Sequence, residues 1–301
     1  MVVPGRITLG SRGSDLARAQ ARLVEQALRK AWPELDVAIE VIRTSGDESA
    51  QSAAIADRKA GRKGLFTREI EKELFVRRID VAVHSAKDLP SEWLDALEVR
   101  ATLPRAATAD ILVTKAGGGL AALAPGSVVA TGSIRRQRQL GWIRPDLQIV
   151  DLRGNVPTRL RKLRENESWS GIILARAGLD RLGLRVEGEI LSPADFVPAG
   201  GQGVIALQVR RDDARVQNLI DAINDRATHV CLRAEREFLR LLNGDCDSPV
   251  GVQAKLEAGE LRLQAQVFEA TATPPRVGAT AGPSDDPEAV AAKLMKQVYG
   301  G

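Results

Sequence analysis

Apolar positions recur along the chain in two alternating periods, and the order of those periods sets out the fold. Arg6–Gly10 reads as a short strand, and Gly13-Ser14 then leads into a helix. Ser14 is a favourable N-cap, because its hydroxyl can accept from an early backbone N–H. Leu16, Leu23, Val24, Ala27 and Leu28 fall on one face of that helix, and Pro33 follows its end. Val37–Arg43 alternates as a second strand. Phe66–Arg77 repeats as an amphipathic helix with Phe66, Ile70, Leu74 and Phe75 inward, and Asp80–His84 is a third strand. This βαβαβ order predicts a parallel sheet covered by helices.

After Leu103 a second α/β set begins. It has strands predicted at Ile111–Thr114, Val128–Thr131, Leu147–Leu152 and Gly171–Ala175, and helices at Ile134–Trp142 and Val156–Arg164. Gly201-Gln202-Gly203 precedes a further apolar strand, Val204–Val209, and is read as a tight crossing between domains. From about Thr228 the pattern changes. A helix at Cys231–Leu242, a turn-rich loop, alternating segments at Val250–Leu256 and Leu261–Phe268 and a last helix near Pro287–Val298 predict a small α+β domain.

Composition narrows the classes. The chain has 301 residues, 44% hydrophobic and 27% charged, as expected of a folded protein of two or three domains. No apolar run approaches the roughly 18–20 residues of a membrane span, and Met1–Arg6 lacks the pattern of a signal peptide, so a cytoplasmic location is expected. Cys231 and Cys246 cannot form a disulfide framework, and with His84 and His229 they make no zinc spacing; no metal site is assigned, with oxygen-ligated Mg²⁺ left open. The charge of +4 and pI near 9.3 suit an anionic partner. Aromatics at 3% leave few platforms for single-stranded bases, so no nucleic-acid partner is expected.

The candidate chemistry lies where strands end. Val81-Ala82-Val83-His84-Ser85-Ala86-Lys87-Asp88-Leu89-Pro90 is an apolar strand that stops in His, Ser, Lys and Asp, and ligands of open α/β sheets sit beyond the carboxyl ends of strands. Arginines occupy the same kind of position. Arg12 follows the first strand, Arg135 and Arg136 follow Thr131-Gly132-Ser133, Arg153 follows another strand, and Arg159 lies early in the next helix. Helix N-termini favour anions, and guanidinium groups add bidentate recognition of carboxylate or phosphate. Gly61-Arg62-Lys63-Gly64 is a basic loop able to act as a lid or phosphate cradle, though it is no Walker motif. Cys246, in Asn243-Gly244-Asp245-Cys246-Asp247-Ser248-Pro249, suits covalent attachment better than nucleophilic catalysis, since Asp245 and Asp247 disfavour its thiolate. Cys231 and His229 are read as structural.

Together these segments resemble the porphobilinogen deaminase (hydroxymethylbilane synthase) family. The likeness rests on Ser11-Arg12-Gly13-Ser14-Asp15-Leu16-Ala17, Lys63-Gly64-Leu65-Phe66, Val83-His84-Ser85-Ala86-Lys87-Asp88-Leu89-Pro90 and Thr131-Gly132-Ser133-Ile134-Arg135-Arg136-Gln137. It extends through Leu152-Arg153-Gly154-Asn155-Val156-Pro157-Thr158-Arg159-Leu160, Ala177-Gly178-Leu179-Asp180-Arg181-Leu182-Gly183, Ala234-Glu235-Arg236 and Gly244-Asp245-Cys246-Asp247-Ser248-Pro249, and so covers almost the whole chain in order.

The resemblance implies an α/β fold of two periplasmic-binding-protein-like (type II) domains plus a small α+β C-terminal domain. The expected division is residues 1–103 with 203–224, residues 104–202 and residues 225–301. It implies dipyrromethane held through a thioether to Cys246. It implies an enzyme that joins four porphobilinogen molecules head to tail, with loss of ammonia, and releases hydroxymethylbilane by hydrolysis; nothing in the sequence demands more than a monomer. Asp88 is then the catalytic residue, its carboxylate facing the pyrrole nitrogens and the cation that forms. Lys87, Asp88, Thr131, Ser133, Arg135 and Arg136 are expected to hold the cofactor. Arg12, Ser14, Gln20, Lys63, Phe66, Ser85, Arg153, Arg159 and Arg181 are expected at the substrate.

The chain departs from the family in two places. Leu103-Pro104-Arg105-Ala106-Ala107-Thr108-Ala109-Asp110-Ile111 stands where Glu-Arg-x-Asp-Pro-Arg-Asp-Ala is usual, keeping Arg105 and Asp110. The cysteine loop reads Gly-Asp-Cys rather than Gly-Gly-Cys. The competing reading is a non-catalytic receptor for a small polycarboxylate on the same fold, which has no need of Cys246 or Asp88.

Overall fold

The computed structural model describes residues 5–43, 67–90, 94–243, 248–269 and 273–300. The first lobe begins with β1 (Arg6–Arg12), α1 (Asp15–Ala31), β2 (Asp36–Ile42), α2 (Arg68–Phe75), β3 (Val81–Ser85) and β4 (Leu97–Thr102). Ser14 caps α1 as its side chain predicts, its Oγ accepting from the Ala17 N–H at 3.3 Å. Gln20, Ala21, Val24 and Leu28 make the buried face of α1, while Leu23 points outward, 39% exposed. In α2, Ile70 and Leu74 are buried one turn apart, but Phe75 is 60% exposed. The inward assignment of Phe75 is corrected by geometry: it follows Leu74 by one residue, about 100° around the helix from the buried stripe.

The second lobe follows with β5 (Asp110–Thr114), β6 (Val128–Ala130), α3 (Ile134–Ile143), β7 (Gln148–Val150), α4 (Val156–Glu165), β8 (Trp169–Ala175), α5 (Arg176–Arg181) and β9 (Glu189–Ile190). The chain then returns to the first sheet as β10 (Ile205–Arg210), followed by α6 (Ala214–Asp221).

The two five-stranded sheets share one plan. The first runs β2-β1-β3-β10-β4 and the second β7-β6-β8-β5-β9. In each, three neighbouring strands are parallel, and the fourth position is taken by a crossing strand that runs antiparallel: β10 against β3, and β5 against β8. The edge strands β4 and β9 are in turn antiparallel to the crossing strands, so four strands of each sheet share one direction and the all-parallel expectation fails for the crossing strand alone. The repeated order is the two-domain, periplasmic-binding-protein-like arrangement. Helices cover both lobes, and Ile7, Leu9, Val24, Leu28, Val83 and Leu207 centre the first core.

The C-terminal unit is α7 (Arg226–Leu241), the antiparallel sheet β11 (Val250–Glu257), β12 (Glu260–Val267) and β13 (Arg276–Pro283), and α8 (Pro287–Tyr299). Its core joins Cys231, Ala234 and Phe238 of α7 to Val252, Leu263 and Leu294. Among the described residues no helix is long and apolar enough to cross a membrane.

The crossings between lobes depend on glycine. Gly201 (φ +73°) and Gly203 (φ +84°) adopt the left-handed region, and a Cβ on Gly203 would meet the Ala106 carbonyl oxygen at 2.5 Å. This is the tight passage expected of Gly201-Gln202-Gly203.

One ion pair ties the three units at this crossing. Arg105 donates through Nη1 and Nη2 to Glu235 of α7 at 2.6 and 3.1 Å, and through Nε to the Gln202 carbonyl at 3.0 Å. Glu235, fully buried, also accepts from the Gly201 and Ala254 N–H groups, each at 2.7 Å. Every lone-pair direction of the carboxylate is thus used, as a buried charge requires.

Candidate active site

The first lobe opens a cleft at the carboxyl ends of β1 and β3. It is lined by Arg12, Ser14, Leu16, Ala17, Gln20, Thr67, Val83, His84, Ser85 and Asp88, and measures about 410 Å³ with its open mouth included. Its position follows from topology, since β1 and β3 are adjacent parallel strands and their ends splay into loops on one edge. After Ser85 the chain turns through a single 3-10 turn, Ala86–Asp88, which presents Lys87 and Asp88 side by side. A Cβ on Gly201 would collide with the Ala86 backbone at 2.9 Å, so the glycine crossing lies directly against this turn.

The cleft walls are held by hydrogen bonds. Gln20 Nε2 donates to Ser85 Oγ at 2.8 Å, joining α1 to the end of β3. Behind them His84 Nε2 lies 3.1 Å from Gln208 Oε1, and Gln208 Nε2 donates to Glu71 at 3.0 Å. Burial holds the His84 imidazole neutral, its pKa lowered to about 4, with the Arg12 and Arg236 cations adding to that effect. Arg236, from α7, donates to the Pro90 carbonyl at 2.6 Å, so the C-terminal unit braces the Asp88 turn. Its own pKa is brought down to about 9 by burial.

The second lobe brings its cations to the same place. Burial lowers the Lys87 ammonium to about 8; Asp88 and Asp110 oppose that shift, while Arg136 and Arg159 of the second lobe reinforce it. Arg159 Nε donates to the Gly154 carbonyl at 2.7 Å, near the start of α4. Arg181 donates to the Gly203 carbonyl at 2.7 Å, and burial lowers its pKa to about 10. The start of α1 approaches α5 at Leu16 and Gly178. Arg153 is half exposed and paired with Asp151 at 2.7 Å. Thr131, fully buried, accepts through Oγ1 from the Ser133 N–H at 3.4 Å, and Ser133 is the N-cap residue of α3 without a side-chain cap bond.

Arg135 and Arg136 differ from the picture of arginines fronting an open cleft. Both are buried on Asp110, each donating to it through Nη2 at 2.7 Å. Arg135 Nη1 reaches Gln139 and the Val197 carbonyl at 2.8 and 2.9 Å, and Arg136 Nη1 reaches the Ile173 carbonyl at 3.0 Å. Gln202 Nε2 completes the set on Asp110 at 2.9 Å. The two guanidinium groups hold the Asp110 carboxyl far below the usual carboxylate range despite its burial. Lys63, Phe66 and Cys246 lie outside the described residues.

Arg136 and Arg159 stand against Asp88 and Asp110 around Lys87, and among the described residues Nε of both Arg135 and Arg136 is buried without a hydrogen-bond partner. Among the described residues, no group of three or more His, Cys, Asp or Glu is arranged to hold a metal ion.

Sequence reasoning gave no role to Glu235 or Thr67. Glu235 carried a signal: it falls within the apolar stripe of Cys231, Ala234 and Phe238, where a carboxylate is tolerated only with a buried partner. Thr67 carried none, being one hydroxyl residue beside a helix start.

The fold and site define a two-lobed α/β protein with a third unit braced against its cleft, the cleft combining the strand-end carboxylate of Asp88 with the Arg12 cation. Comparison with known proteins makes this specific. Residues 7–218 match the family described as "Porphobilinogen deaminase, dipyromethane cofactor binding domain", and residues 229–300 match "Porphobilinogen deaminase, C-terminal domain". The chain is 45% identical over 263 residues to the porphobilinogen deaminase of Syntrophobacter fumaroxidans, covering 87% of this chain and 84% of that protein. It is 43% identical to that of Moorella thermoacetica, covering 97% and 92%. A solved structure of the methionine binding protein MetQ aligns over 72% of this chain and 89% of that one, at 15% identity and a TM-score of 0.43. The chain belongs to the porphobilinogen deaminase family.

Proposed function

We propose that this chain is a hydroxymethylbilane synthase. It joins four porphobilinogen molecules head to tail, releasing one ammonia per unit, and frees the linear tetrapyrrole by hydrolysis while its dipyrromethane stays bound through a thioether to Cys246. We take it to act as a monomer in the cytoplasm. The observation that carries the reading is the first-lobe cleft, where Asp88 stands at the end of β3 with Arg12, Ser14, Gln20 and Ser85 around it. A receptor for polycarboxylates on the same fold would have cations there, but no use for the carboxylate at their centre. The likeness to solute-binding proteins is one of fold alone.

The chemistry follows from the charges. In each round the C–N bond of the substrate aminomethyl group breaks, ammonia leaves with the bonding pair, and the methylene carbon becomes cationic through the pyrrole ring. Asp88 offers its carboxylate to the pyrrole N–H and to that cation, an electrostatic contribution made where charge develops. Arg12, Gln20 and Ser85 orient the incoming ring through its acetate and propionate groups. Lys87, Thr131, Ser133, Arg136 and Arg159 would hold the cofactor carboxylates. Arg135 supports them by fixing Asp110 beneath Arg136. Bound dipyrromethane supplies a free pyrrole α-carbon as the first nucleophile. Asp88, at the substrate side, would accept the proton that C–C bond formation at such a carbon must release.

The test is turnover of porphobilinogen with ammonia and hydroxymethylbilane counted together. Four ammonia molecules per tetrapyrrole in the wild type, with product lost in Asp88→Ala, supports the reading. Tight binding of porphobilinogen without ammonia release would replace it with the receptor.

A further inference from the structure

Among the described residues three hydroxyl groups line the first-lobe cleft, and two of them are occupied within the protein. Ser14 Oγ accepts from the Ala17 N–H, and Ser85 Oγ is bonded to Gln20. The third, Thr67 Oγ1, has no hydrogen-bond partner among the described residues, although Thr67 is only 1% exposed and lines the cleft. A buried hydroxyl without a partner is costly to leave, so such a group points to a ligand that supplies one.

Its setting selects the chemistry of that ligand. Thr67 is the N-cap residue of α2, yet its side chain makes no capping bond, so the hydroxyl is not used to close the helix. The first-turn N–H groups of α2 leave positive potential at this end, and Arg12 faces the same cleft. Of the two acidic residues in that turn, Glu71 is buried and accepts from Gln208, and Glu69 is likewise engaged within the protein. A donor hydroxyl between a helix N-terminus and an arginine matches a carboxylate oxygen.

We propose that Thr67 is a substrate-binding residue whose hydroxyl donates to a side-chain carboxylate of the incoming pyrrole. The assignment rests on the reaction proposed above. It makes Thr67 a determinant of substrate recognition distinct from Asp88, because it contacts the ring's acidic side chain and not the atoms that react.

The experiment compares wild-type holoenzyme with Thr67→Val and Thr67→Ser, measuring KM and kcat for porphobilinogen and the melting temperature without substrate. Thr67→Val keeps the shape and removes the hydroxyl. It is expected to raise KM roughly tenfold, with kcat within about twofold, while the melting temperature stays level or rises because no internal hydrogen bond is lost. Thr67→Ser is expected to keep KM near wild type. A Thr67→Val KM within about twofold of wild type overturns the assignment. So does a fall in melting temperature that Thr67→Ser does not share, since the hydroxyl would then be an internal structural group. If wild-type holoenzyme consumes no porphobilinogen, the assignment falls together with the reading it rests on, and that outcome is distinct from an unchanged variant KM.

Discussion

Removing the Glu235 carboxylate should cost the protein more stability than removing any surface ion pair, because one buried group satisfies four donors from three parts of the chain. In Glu235→Leu, the Arg105 guanidinium loses both Nη contacts, and the Gly201 and Ala254 N–H groups lose their acceptors. Arg105 is itself only 12% exposed at its side chain, so water cannot replace what is lost without local opening. Stranding a buried charge costs about 3–5 kcal/mol, and each orphaned amide adds about 1 kcal/mol or more. A loss of about 5 kcal/mol is therefore expected. Arg105→Met strands the carboxylate instead, but leaves it the two amides, so about 3 kcal/mol is expected. The double variant should recover about 2 kcal/mol relative to the sum of the singles, since neither charge is then left alone. Urea unfolding followed by tryptophan fluorescence measures all three. Single-variant losses that add within about 0.5 kcal/mol would refute the claim that these residues act as one junction.

The other predictions concern the cleft and the crossing. Asp88→Asn keeps the shape of the turn and removes the charge; kcat is expected to fall by about a hundredfold or more, with the folded state retained by circular dichroism. Lys87, with its pKa near 8, loses its charge as the pH rises, so kcat/KM should fall above about pH 8. Arginine stays protonated there, and Lys87→Arg should move that limb to higher pH. The sign for stability is the reverse. The folded state holds the Lys87 proton less tightly than the unfolded chain, so this residue's contribution makes the protein more stable as pH rises from about 8 toward its ordinary value. Lys87→Met should accordingly raise the urea midpoint at pH near 7 more than at high pH. Gly203→Ala puts a Cβ against the Ala106 carbonyl at a φ of +84°, and should lower the melting temperature by several degrees where an exposed glycine such as Gly259 would tolerate the change better.

What the sequence disclosed was local. Ile7 and Leu9, Val24 and Leu28, Ile70 and Leu74 lie in the core at the spacing of their elements, and strand-end placement put Arg12, Ser85 and Asp88 in one cleft. Direction was not legible. Val204–Val209 is an apolar run that reads identically whether it runs with or against its neighbours, so nothing local revealed that β10 is antiparallel to β3. β13 was missed because its inner and outer positions contrast weakly, Arg276–Pro283 being exposed or half-buried throughout; β4 was missed although Leu97, Val99 and Ala101 alternate with polar residues. Long-range partners were equally hidden. Arg135 and Arg136 satisfy the strand-end pattern, but Asp110, on a strand earlier in the chain, draws both inward. The pairing of Arg105 with Glu235 spans two units, and only the misplaced charge on the α7 stripe hinted at it.

The central claim is a covalent pyrrole primer on Cys246 serving a carboxylate-centred cleft. The most direct test is the intact mass of the purified protein beside Cys246→Ser, before and after incubation with porphobilinogen. The account predicts an added mass of two pyrrole units on the wild type, present at isolation or gained on incubation, and none on Cys246→Ser. A wild-type chain that keeps its bare mass after incubation would contradict it.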